Sequence, residues 1–274
     1  MASDKVIIFD YSGTLSLEST LFAKPDHLMK QLAESGLKGM GITSPDIFWR
    51  EIVDPTWQKG STTPVGYKKV IENRINSILS QNISDISYAN ISDAASSFVD
   101  SYLNHSRIDR RWQPILSKLG KHPSIRVIIA TDHYAEATGY IIKFLREFKI
   151  QATAAKDAFA ASGTASVVVA NSADLGVHKA DRRFWEILKT GLNMGDIRQI
   201  LLIDDFGSNE QKGDSYGIRE RVEQRKHDTA KMLQKVFSAE VEAFPFMIEN
   251  NGGDNAFGEL IKQAAVIIDR YLTG

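Results

Sequence analysis

The sequence predicts an α/β protein built on a doubly wound parallel sheet, with an all-helical insertion directly after the first strand. Three observations predict it. Short apolar runs rich in β-branched residues (6–9, 125–130, 166–170 and 200–203) alternate with stretches of helical periodicity. Their apolar character is nearly continuous, as expected of strands buried on both faces. Each run stops at small polar or acidic residues: Asp10, Thr131-Asp132, Asn171-Ser172 and Asp204-Asp205. Ligands of open α/β sheets bind at that C-terminal edge. Finally, no convincing strand lies between Leu15 and residue 125.

The 274 residues suffice for one large domain or two moderate ones. An apolar fraction of 43% and a charged fraction of 24% are those of a soluble globular protein. A formal net charge of −1 offers no basic field for nucleic acid and no polybasic patch for a membrane surface. The absence of cysteine excludes disulfides, thiolate chemistry and cysteine metal sites. Met1 to Lys5 lead straight into the first strand without signal-peptide organisation, and no apolar run reaches transmembrane length. The expectation is a cytoplasmic protein, monomer or homodimer, binding neither nucleic acid nor membrane.

In chain order, residues 5–9 form the first strand, and Gly13 with Thr14 supplies the tight turn after Asp10. Pro25 and Asp26 open a helix with Leu28, Met29 and Leu32 on its apolar stripe, broken by Gly36, Gly39 and Gly41. Ser44 before Pro45 is an N-cap with proline at the first helical position, starting a helix over 44–53. A loop over 54–64 precedes a helix over 65–79, a polar stretch around Asn82, Ser84, Asp85 and Ser87, and a helix over 93–103. A helix over 111–119 leads to the second strand, and another helix follows Thr131-Asp132. After the third strand, Asp181 is the N-cap of a helix carrying Phe184, Trp185 and Leu188. The fourth strand ends in Asp204-Asp205-Phe206-Gly207-Ser208-Asn209-Glu210. A charged helix over 218–237, an edge strand over 241–248 interrupted by Pro245, and an amphipathic helix over 259–272 complete the chain. Residues 1–15 plus 106–274 form the α/β core; residues 16–105 form the helical domain.

The strand ends read together as a phosphoryl-transfer site. Such chemistry needs an in-line nucleophile, a cation bridging oxygens, and donors for the equatorial charge. Asp10 supplies a carboxylate able to form an aspartyl-phosphate. Asp204 and Asp205 are hard oxygen ligands suited to Mg²⁺. Lys179 offsets repulsion between carboxylates and phosphate, and the Thr131 hydroxyl donates to a phosphate oxygen. Asp10-x-x-Gly-Thr, Thr131, Lys179 and Asp204-Asp205-x-x-x-Asn209, in that order, resemble the haloacid dehalogenase superfamily in its helical-cap phosphatase-like branch. Ala180 stands where that family commonly has proline. The resemblance implies a Rossmann-like core with the helical domain as a cap, and a small phosphorylated substrate. It further implies Asp10 as nucleophile, a metal held by Asp10, the Ser12 carbonyl, Asp205 and Asp204, and Asn209 supporting that metal. Phosphate would be bound by Thr131, Asp132, Lys179, Tyr11 and Ser12.

Ser12 departs from the pattern. Phosphatases of this superfamily usually carry a second Asp there, which protonates the leaving group and then activates water. A serine hydroxyl, with a pKa far above neutrality, does neither. Three readings stay open: a Mg²⁺-dependent phosphatase or phosphotransferase with a weak or substitute acid/base; a carbon–phosphorus or carbon–halogen hydrolase; and a catalytically degenerate binding protein. Met40-Gly41 lacks the following lysine of the phosphonate-cleaving branch, and the dehalogenase branch usually has tyrosine where Ser12 stands. His133 invites an acid/base role, but a structural histidine is the expectation. Arg182 and Arg183 read as helix-surface charges. In the insertion, Arg50, Trp57, Lys59, Lys68, Lys69 and Arg74 are candidates to meet an anionic substrate, or are solvated charges and packing.

Overall fold

A computed structural model describes residues 4–80, 88–161, 165–209, 219–248 and 253–274. Six parallel strands form one sheet: β1 (Lys5–Asp10), β2 (Ile125–Thr131), β3 (Thr153–Ala154), β4 (Val167–Asn171), β5 (Gln199–Asp204) and β6 (Glu240–Pro245), in the order β3-β4-β2-β1-β5-β6. The α/β doubly wound sheet expected from the sequence is therefore present. From β1 the chain first builds leftward and then returns to the other side through β5. The order reverses between β1 and β5, which opens a crevice at their C-terminal ends.

Both faces of the sheet are covered, which accounts for the unbroken apolar runs. Ile7, Phe9, Val127, Ile129, Val169, Leu201 and Ile203 pack with the helices Gln113–Leu119, Glu136–Glu147 and Gly253–Thr273. The intervening Val6, Ile8, Ile128, Ala130, Val168, Ile200 and Leu202 pack with the helices Arg182–Gly191 and Arg219–Phe237. A period of two divides one strand between two cores.

Between β1 and β2 the described residues are helical and contain no strand. Phe22, Leu28, Leu32, Phe48, Ile52, Val70, Ile71, Ile75, Phe98 and Val99 build a third core there, joined by Tyr134 and Ala137 from the segment after β2. Ser44 caps Pro45–Phe48 as expected, accepting from Ile47 N at 3.2 Å. The expected loop over 54–64 instead holds a single turn of helix, Trp57–Gly60, too short to leave a periodic signature. The edge strand β3 and the helix Ala155–Ala160 behind it were equally illegible, being alanine-rich and brief. The last strand begins one residue early and ends at Pro245, which is tolerated because Glu240 N and Phe246 N bond to the β5 side and the proline nitrogen faces the open edge. The polar stretch around Asn82 to Ser87, Glu210 and the first residue of the charged helix, Ile218, lie outside the described residues.

Candidate active site

Asp10 ends β1, and the chain then turns sharply. Gly13 adopts φ +77°, and a Cβ there would stand 2.4 Å from Asp205 Oδ2. The position requires glycine twice, for backbone conformation and for space. Leu15 N and Ser16 N both donate to Tyr11 O at 2.9 Å, closing the turn. The Thr14 hydroxyl accepts from Asp205 N at 3.0 Å, so it ties the β1 turn to the end of β5.

On the β5 side, Phe206 (φ 51°) and Gly207 (φ 76°) curl the backbone so that its amides face the carboxylates. Asp204 Oδ1 accepts from Phe206 N at 2.6 Å; Asp205 Oδ1 and Oδ2 accept from Gly207 N at 3.0 Å and Asn209 N at 2.9 Å. The Asn209 side chain uses both its amide hydrogens and its oxygen: Nδ2 donates to Gly13 O (2.8 Å) and Phe246 O (2.7 Å), and Oδ1 accepts from Ile248 N (2.8 Å). It holds three segments together beneath Asp205.

Lys179 completes the cluster from the loop before the helix Arg182–Gly191. Its Nζ donates to Asp10 Oδ1 and, at 3.2 Å, to Asp204 Oδ2. Its main chain is fixed from both sides, the N–H donating to Asp132 Oδ1 at 2.8 Å and the C=O accepting from Trp185 Nε1 at 2.8 Å. Burial pulls the ammonium down, but the Asp10, Asp204 and Asp132 carboxylates outweigh it and hold Lys179 well above the ordinary lysine range. Lys179 is the ammonium bonded within this cluster, and Asp10, Asp204 and Asp205 are only 5%, 5% and 2% exposed. Oxygens of these three lie within 4.8 Å of one another. This all-oxygen donor set could hold a cation and suits Mg²⁺.

The remaining expected residues divide. Thr131 is buried at the end of β2, in register with Asn171. Ser12 follows Asp10 and bridges Ser16. The Tyr11 ring is buried and its hydroxyl donates to Ser106 O, which leaves only its main chain to reach a ligand at the edge. Asp132 serves Lys179 through the bond just described, an anchoring role that sequence reasoning missed.

His133 is a structural histidine. Its Nδ1 accepts from Tyr134 N (3.1 Å), so the ring proton sits on Nε2, against the Tyr102 hydroxyl at 2.7 Å. Burial pushes its pKa down to about 4. Arg182 and Arg183 are helix-surface charges, pairing with Glu186 and Asp181. Of the insertion's candidates, Lys68 pairs with Asp100, Lys69 with Glu72, and Arg50 and Arg74 with Glu51. Arg50 and Arg74 line a cavity of about 330 Å³ that includes none of the site carboxylates. Trp57 stacks on His178, next to Lys179, with rings 6.2 Å apart. Ser61 Oγ donates to Trp57 O (2.5 Å) and lies 2.7 Å from His178 Nε2, which must therefore be the donor to it. Nothing in the sequence signals that pair, whose members are 117 residues apart.

No protein-family model matches the chain, and no curated protein matches it. Among solved structures, the chain is similar to a 2-haloacid dehalogenase from Pseudomonas syringae pv. Tomato DC3000, with a TM-score of 0.46 and 14% sequence identity, over 82% of this chain and 99% of that one. At that level the likeness carries no weight for the chemistry.

Proposed function

We propose that the chain is a magnesium-dependent phosphatase or phosphotransferase of the haloacid dehalogenase type, acting on a small phosphorylated molecule through an aspartyl-phosphate on Asp10. The observation that carries this reading is the Asp10–Lys179–Asp204 ion cluster beside Asp205, at the point where strand order reverses. Asp10 is the nucleophile. Lys179 holds that carboxylate oriented and meets the charge of the incoming phosphoryl group, while Thr131 at the end of the adjacent strand offers its hydroxyl to an equatorial oxygen. Asp10, Asp204, Asp205 and the Ser12 carbonyl would hold Mg²⁺, which supplies charge neutralisation and template effects at the phosphoryl oxygens. Asn209 keeps Asp205 and the Gly13 turn in place. The helical domain, as a cap, excludes water and meets the rest of the substrate. A cytoplasmic enzyme working as monomer or homodimer completes the reading.

Hydrolysis of p-nitrophenyl phosphate tests it. Turnover is expected with Mg²⁺ and not with excess EDTA, and Asp10→Asn should lower it roughly 10³-fold or more, as for other covalent nucleophiles. Full activity of Asp10→Asn, or metal-free chloride release from 2-chloropropionate, would overturn the assignment.

A further inference from the structure

With serine at position 12, the reaction just proposed lacks its proton donor, and the surroundings of the site show what replaces it. The titratable side chains at the sheet edge can be taken one by one. The Tyr11 phenol gives its proton to Ser106 O and is held well above the ordinary tyrosine range by burial. His133 has both ring nitrogens engaged, Nδ1 as acceptor and Nε2 against Tyr102. His178 spends its Nε2 proton on Ser61 of the helical domain. The Asp204 and Asp205 oxygens are already taken by backbone N–H groups of the loop after β5 and, for Asp204, by Lys179 Nζ.

Asp132 remains, and its position is informative. Asp10 pairs in register with Ala130 of the neighbouring parallel strand. Position 12 is two residues beyond Asp10, and position 132 is two residues beyond Ala130. The loop that lacks a carboxyl after β1 thus has as its neighbour, after the adjacent parallel strand β2, a loop that carries one. Its Oδ1 accepts from Lys179 N at 2.8 Å, so the group is fixed to the loop whose side chain reaches Asp10.

We infer that Asp132 is the general acid and base of this site, in place of a carboxyl at position 12. In the first step a new bond forms between Asp10 and phosphorus as the P–O bond to the leaving group breaks. The Asp132 proton passes to the departing oxygen, leaving the Asp132 carboxylate. In the second step that carboxylate takes a proton from water as its oxygen attacks phosphorus. The Asp10–phosphorus bond breaks, inorganic phosphate leaves, and Asp132 is again protonated. The groups facing Asp132 are Lys179, His178 and Ser172. Burial lifts its carboxyl above the ordinary aspartate range against the opposing pull of these three, as a proton donor requires.

The inference rests on the phosphatase reading, and leaving-group dependence separates the two. Wild type and Asp132→Asn are compared by kcat/KM on p-nitrophenyl phosphate, which needs little protonation to depart, and on an alkyl phosphate, which needs full protonation. Asparagine keeps the oxygen that accepts from Lys179 N and loses only the transferable proton. The expected result is a loss of about 10²–10³-fold on the alkyl phosphate, a much smaller loss on the aryl one, and accumulation of acid-trapped phosphoenzyme. Equal losses on both substrates would assign Asp132 to positioning Lys179 alone, and no loss on the alkyl phosphate would remove it from the reaction; either result overturns the inference while leaving the phosphatase reading standing. Absence of Mg²⁺-dependent turnover in wild type would bring down that reading and this inference with it.

Discussion

At the residue scale, the site depends on contacts that single side chains make across the β1–β5 crevice. Gly13 is the tightest of them, since a methyl group there meets the Asp205 carboxylate at 2.4 Å on a backbone that already needs positive φ. Gly13→Ala is expected to destabilise the protein by about 1–3 kcal/mol and to displace Asp205. The thermal shift on adding Mg²⁺ should then shrink together with the loss in melting temperature. A variant that loses stability but keeps the full Mg²⁺ shift would show that Asp205 is not part of the metal site. Asp10, Gly13, Thr131 and the Asp204-Asp205 pair were legible in the sequence because each stands at or just past the end of an apolar run, where chemistry and chain direction coincide; Lys179, in a loop, was legible only through its place in the family's order of motifs. Thr14 was legible as a turn residue but not as the acceptor for Asp205 N, because that partner is 191 residues away. Asp132 was legible as a neighbour of Thr131; its bond to the Lys179 backbone was not, since a carboxylate beside a phosphate-binding residue carries no mark of which group it serves.

At the element scale, long strands and helices announced themselves through periodicity, whereas the joints between them did not. The helix Tyr67–Leu79 shows why. Its N-cap is Gly66, at φ +83°, with no side chain to satisfy the first amides. The cap comes from elsewhere: Glu136, at the start of the helix after β2, accepts from Tyr67 N at 2.7 Å and Lys68 N at 3.1 Å. A Cβ on Gly66 would collide with that carboxylate at 2.7 Å. Tyr134, two residues before Glu136, stacks on Tyr67 with rings 3.9 Å apart and nearly parallel. A helix of the insertion is thus started by a side chain from the helix that follows β2. Charge-assisted bonds at a helix N-terminus are worth about 1–2 kcal/mol. Glu136→Ala should cost about that much and raise amide hydrogen exchange selectively at Tyr67 and Lys68. Unchanged protection at those two amides would mean that the helix start is held by Tyr67–Tyr134 stacking alone.

At the scale of the whole molecule, the insertion and the sheet are joined through a polar network centred on His133. The network spans the insertion, through Tyr102, and the end of β4, through Asn171 Oδ1 and Ser172 Oγ, which both accept from His133 N at 3.1 Å. Because Tyr134 N donates to Nδ1, protonating the ring would set two N–H groups against each other and place a charge where water cannot reach it. The native state therefore resists protonation until about pH 4, whereas the unfolded chain takes up the proton around pH 6.5. Above pH 6.5 the ring is neutral in both states and contributes no pH dependence. Between those limits only the unfolded state binds the proton, so stability falls as pH falls, by at most about 1.4 kcal/mol per pH unit and on the order of 3 kcal/mol in all. Asparagine at this position keeps an acceptor for Tyr134 N and has no proton to gain. His133→Asn should be less stable than wild type at neutral pH, having lost the contact with Tyr102, yet its unfolding free energy should fall less steeply between pH 6.5 and 4. Urea unfolding of both proteins across that range measures the difference. Because His133 joins the insertion to the sheet, the acid-induced loss should appear in one cooperative transition; parallel pH curves for the two proteins would show that the histidine is not the group that carries it.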